Sequence, residues 1–195
     1  MRVLSRADFL KTIEAVGVRL DSKYPKSAIL GFPNKPDVAR FWAVPGEPQT
    51  IPHFAATMIN LLGPWKSIFV WKHLGSWMVE VKGEDLNDDI QALLYKGLGI
   101  QSNSADILVF DRQELSMLIA LIFNQLIFGW NLGDDLYLIP DDGRHIVHTD
   151  HHDVVHVSFQ DAGSADRFVN AMAERGYQLP DELPDATFKR PQWMK

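Results

Sequence analysis

Apolar positions along this chain recur at two different periods, and glycine and proline mark where one period gives way to the other. Phe9, Leu10, Ile13, Val16 and Leu20 follow Ser5 at the spacing of one helical face, with Ser5 placed to cap the helix and Gly17 a weak point near its end. Pro25, Pro33, Pro36, Pro45, Pro48 and Pro52 cut the next segment into short extended pieces, among them 28–30 and 40–44, which read as loops and edge strands. A second helix is predicted over 52–62, where proline suits the first turn and Gly63 with Pro64 closes the end.

Period two then takes over. Residues 67–72 and 77–82 read as a hairpin around Leu74 and Gly75, because Trp77, Val79 and Val81 alternate with Met78, Glu80 and Lys82. Asn87 can cap a third helix carrying Ile90, Leu93, Leu94 and Tyr95, and residues 107–110 form an apolar run suited to an interior strand. Asp111 and Glu114 have capping-box spacing for a helix over 112–128 that Gly129 would end. This helix is apolar nearly all round, yet its uninterrupted part falls short of the roughly 20 apolar residues of a membrane span, so it is expected to be the central core helix. Residues 136–139, the turn 140–143, then 145–149 and 154–159 read as a three-strand meander, followed by a last helix over 164–175 that ends at Gly176.

These elements predict one α+β domain over 1–176: a mostly antiparallel sheet with a late meander, helices packed on it, and an extended tail over 177–195 containing Pro180, Pro184 and Pro191. A chain of 195 residues, 46% hydrophobic and 23% charged, can fold on one core without staples. The lack of cysteine excludes disulfides, thiolate catalysis and cysteine-based metal centres. The first ten residues lack the apolar core of a secretion signal, so a cytoplasmic location is expected.

Charge changes the picture more than composition does. The net charge of −6 speaks against nucleic acid as the main partner. Residues 134–166 contain eight Asp, no Glu and one basic residue, Arg144, so this block carries −7 and the rest of the chain is nearly balanced. Five of the seven histidines, His145, His148, His151, His152 and His156, lie in the same block. Asp134, Asp135, Asp141, Asp142, Asp150 and Asp153 fall at predicted turns and strand ends, where their side chains are expected to reach solvent and their charges to add.

Imidazole and carboxylate are the donors that zinc and other divalent metals take, and an extended chain would put His148, Asp150 and His152 on one face as a three-ligand set with an open position. The order of residues fits neither the HxHxDH pattern nor the helical HExxH motif. The doublet of His152 and Asp153 sits among strand formers, unlike its counterpart in helical phosphohydrolases. A polar turn over 150–153 accounts for the same residues without a ligand. The string Gly97, Leu98, Gly99 follows a helix and lacks the last glycine of a dinucleotide fingerprint, and no GxSxG elbow or GxxxxGK[ST] loop occurs. Trp42, Trp65, Trp71, Trp77 and Trp130 could line a groove by stacking, but core filling is the better account of them.

The run from Trp130 to Arg175, with the strand over 136–139, the turn over 140–143, the phrase His151, His152, Asp153, Val154, Val155 and the closing helix, resembles the C-terminal part of small bacterial α+β proteins grouped as immunity or toxin-system accessory proteins. The resemblance implies a cytosolic, non-catalytic protein that binds a toxin domain. Two functions are therefore expected. The first is a non-enzymatic protein without cofactor, membrane or nucleic-acid partner, which meets a basic protein through Asp134, Asp135, Asp141, Asp142, Asp150, His151, His152 and Asp153. The alternative is a small metal-dependent hydrolase using His148, Asp150 and His152 to hold zinc or a similar ion.

Overall fold

The computed structural model of the protein describes residues 1–20, 30–32, 38–72, 77, 83, 86–100, 107–132, 135–150 and 153–182. A short strand β1, Arg2–Leu4, leads into helix α1, Arg6–Ala15, where the Ser5 hydroxyl accepts the Asp8 amide at 3.1 Å. Gly17, with φ of +84°, ends that helix in a conformation that favours glycine, so Leu20 stands on strand β2, Arg19–Leu20, and not on the helix as its spacing suggests. Strand β2 pairs with β3, Leu30–Gly31, and strand β4, Val38–Ala43, takes the place of the predicted edge strand over 40–44. Helix α2, Ile51–Leu61, follows a 3-10 turn over Pro48–Thr50 and buries Ile51, Phe54, Ala55, Met58 and Ile59.

Strand β5, Ser67–Lys72, is buried along its whole length. Helix α3, Leu86–Gly97, precedes strand β6, Ile107–Asp111. The chain then makes a 3-10 turn over Arg112–Glu114, in which the Glu114 carboxylate accepts the Asp111 amide at 2.9 Å, and enters helix α4, Leu115–Leu132. Strands β7, Leu136–Pro140, β8, His145–Asp150, and β9, Val154–Phe159, form the expected meander, and helix α5, Ala162–Ala173, closes the described fold.

Seven strands form one antiparallel sheet in the order β1-β6-β5-β7-β8-β9-β4, giving the α+β architecture that the sequence pattern predicts. Strand pleating sends alternate residues to opposite faces. Ile68, Leu108, Leu138, Val147 and Val157 join the core built by α2, α4 and α5, while Phe69, Val109, Ile139 and Ile146 meet Phe9 and Ile13 of α1 on the other face. The sheet is thus a middle layer. Tyr177 continues the larger core beyond α5: its ring packs edge-on to Phe54 and its hydroxyl bonds His53 Nδ1 at 2.6 Å.

Three further points stand out against the sequence reading. Strand β5 has β6 on one edge and β7 on the other and so is an interior strand; the second arm of the expected hairpin, 77–82, lies outside the described residues except for Trp77. Helix α4 runs through Gly129 to Leu132, because a glycine costs a helix interior only about 1 kcal/mol and the packed turns before it outweigh that. Helix α5 begins at Ala162, two residues before the predicted start, because Asp161 caps it and accepts the Ser164 amide at 2.8 Å. Among the described residues no helix is long and apolar enough to cross a membrane.

Candidate functional site

The registers of five neighbouring strands put one ring from each in a single row. Trp71 of β5 lies opposite Tyr137 of β7, Tyr137 opposite His148 of β8, His148 opposite His156 of β9, and His156 opposite Phe41 of β4. Directly opposed residues in a sheet bring their side chains together on the same face. Here the Tyr137 and His148 rings stack with centroids 4.5 Å apart and planes 4° from parallel, His148 and His156 are 5.0 Å apart, and His156 meets Phe41 edge-on at 4.7 Å. At the inner end Trp71 is 5.6 Å from Tyr137 and is covered by Phe9 and the Arg6 guanidinium. The row therefore begins in the smaller core under α1 and becomes more open toward β8 and β9, where His148 and His156 are partly exposed.

Two carboxylates flank the imidazoles. His148 Nε2 stands 3.1 Å from Asp135 Oδ2, and His156 Nε2 stands 3.2 Å from Asp150 Oδ2. An ionised carboxylate only accepts, so each pair requires the proton on Nε2 and leaves Nδ1 as the position for a second proton. With both rings neutral the four groups carry two negative charges, and protonating both rings turns them into two ion pairs with none. Burial, helped by the Asp135 and Asp150 carboxylates, raises the Tyr137 phenol above its usual range. Tyr137 thus stays an uncharged ring and polar hydroxyl at the floor of the site.

The acidic block is not one solvent-facing surface. Asp135 is 8% exposed and bonds His148, contrary to the expectation that it projects into water. Asp141 accepts the Lys66 amide at 3.0 Å and so ties the meander turn to the start of β5, while Asp142 accepts the Arg144 amide at 3.1 Å. These two lie at one end of the strands, and Asp135 and Asp150 at the other. Asp153 takes φ of +62° at the β8–β9 turn, and its carbonyl accepts the Val44 amide. Asp161 and Asp166 are also engaged, the first as the cap of α5 and the second with Arg40 at 3.3 Å. Asp134, His151 and His152 lie outside the described residues.

Of the proposed metal set, His148 and Asp150 share a face but bond different partners, and His152 is outside the described residues. No group of three or more metal-competent side chains occurs among the described residues. His145 lies on the opposite face from His148, against Phe159 and Phe168. Sequence reading missed Tyr137, Phe41 and the pairing of His148 with His156. A signal existed: in a hairpin, positions equidistant from the turn face each other, and His148 and His156 are equidistant from residue 152. Comparison of the chain with family models, with curated proteins and with solved structures finds no match.

Proposed function

We propose that this protein is a non-enzymatic binding protein that takes a cationic protein partner on the sheet face carrying Asp135, His148, Asp150 and His156. The observation that carries the reading is the convergence of two carboxylates and two imidazoles, from the residue before β7 and from β8 and β9, beside the partly exposed ring of Phe41. Carboxylates beside aromatic faces suit an arginine side chain, which can pair with the first and stack on the second. A concentrated negative field also steers a basic partner into contact. A toxin domain is the partner that the resemblance of residues 130–175 implies.

The test is nuclear magnetic resonance titration with a short arginine-rich peptide. Saturable shifts at Phe41, Tyr137, His148 and His156, weakened by salt and lost in Asp135→Asn with Asp150→Asn, are expected. Shifts spread over the whole surface, or unchanged in the double variant, would defeat the proposal.

A further inference from the structure

A second candidate lies on the other face of the sheet. Between the end of α2, the start of β8 and α5 runs a groove of about 320 Å³, at the small end of ligand sites. Its walls divide by chemistry: Leu61, Phe168 and Ala171 are apolar, whereas Arg144, Arg167 and His145 are not. Arg167 donates to the Ser164 hydroxyl at 2.9 Å and has no carboxylate partner among the described residues. Arg144 turns Nε toward Asp142 at 3.5 Å, and its two terminal nitrogens bond nothing described. Gly63 brings the rim to a third guanidinium, since Arg112 Nη1 stands 3.8 Å from where a Cβ on that glycine would be. Arg112 lies over Trp65 and likewise has no described carboxylate partner.

In a chain with 25 acidic and 19 basic residues, guanidinium forks left open around one concavity are an unusual arrangement. The imidazole at its edge points the same way. His145 Nδ1 is buried with no hydrogen-bond partner, a cost that a ligand donor or acceptor would relieve. Burial lowers the His145 pKa, with Arg144 acting in the same sense against the Asp142 and Asp161 carboxylates, so the ring enters as a neutral donor or acceptor. Those two carboxylates are held by Arg144 and by the first turn of α5, so they position the cationic wall while tempering its charge.

We propose that this groove binds a small phosphate monoester with an apolar substituent. Arg144 and Arg167 take the phosphate oxygens from two sides, and Leu61, Phe168 and Ala171 receive the carbon part. Phosphate is favoured over carboxylate because its tetrahedral oxygens can face two forks that approach from different elements, whereas a carboxylate holds both oxygens in one plane. The site is independent of the one assigned to the cationic partner and stands or falls without it.

Calorimetric titration of the full chain with phenyl phosphate, inorganic phosphate and benzoate tests it. Phenyl phosphate is expected to bind saturably and more tightly than either of the others. Arg144→Gln and Arg167→Gln, both at exposed positions, should each weaken it by about tenfold, the loss of one charge-assisted contact. Arg167→Lys, which keeps the charge and removes the fork, should fall between. Lys11→Gln on α1 should change nothing. Absence of saturation, equal binding of benzoate, or equal losses in the Lys11 variant would overturn the proposal.

Discussion

At Gly143 the backbone has φ of +65°, and a Cβ there would stand 2.5 Å from Val16 Cγ2 and 2.7 Å from the Val16 carbonyl oxygen. The β7–β8 turn therefore rests directly on the end of α1, and Gln160 Nε2 donates to the Gly143 carbonyl from the third side at 3.0 Å. Gly143→Ala is expected to cost about 2–4 kcal/mol, from the left-handed strain and the displaced Val16 together, read by chemical denaturation. A change below half of that would mean the turn can lift away from α1. Tyr137 makes a prediction with a definite sign. Its folded pKa is raised above the ordinary phenol value of 10.0, so the stability due to the neutral phenol is full below that pH and is lost as pH rises through the folded value. Tyr137→Phe, which cannot ionise, should flatten the fall in stability that sets in above about pH 10. An alkaline slope identical to that of the parent would show that other groups cause it.

Elements were legible where pattern and punctuation agreed. Helix α2 between proline and Gly63, the capping pair of Asp111 and Glu114, and the three strands of the meander all carry local signals strong enough to fix them. Strand β5 was legible in its extent but not in its partners, because sequence shows the neighbours in the chain and not the neighbours in the sheet: both edges of Ile68–Val70 are filled by strands about 40 to 70 residues further on. The end of α4 failed for a related reason, since propensity stops a helix at glycine only when tertiary packing does not carry it on. That helix was legible in its role, however. Leu118, Leu121 and Ile122 are essentially fully buried, and α4 lies against α2, α3 and β8. Leu118→Ala is therefore expected to lose about 2–5 kcal/mol in a urea or guanidinium melt, with the slope unchanged. A loss under half a kilocalorie per mole would remove α4 from the centre of the core.

At the scale of the whole molecule, the acidic block was visible in the sequence but its division was not. Strand β7 separates Asp135 from Asp141 by about 20 Å at the usual rise of an extended chain, well beyond the roughly 8 Å over which exposed charges act at physiological salt. Asp141 bonds the Lys66 amide ahead of β5 and Asp142 its own turn, while Asp135 and Asp150 sit with the imidazoles. The sequence suggests that reversing Asp141 and Asp142 should slow capture of a basic partner; the proposed function puts that effect at the other end of the strands. On the proposed reading, Asp135→Asn with Asp150→Asn slows association with an arginine-rich peptide and makes the rate less sensitive to salt. Asp141→Lys with Asp142→Lys changes both far less. Stopped-flow association rates across a salt series separate the two ends. If the Asp141 and Asp142 reversals slow association as much as the Asp135 and Asp150 changes, the partner meets the acidic block as a diffuse field, and the row of rings across the sheet has no special part in recognising it.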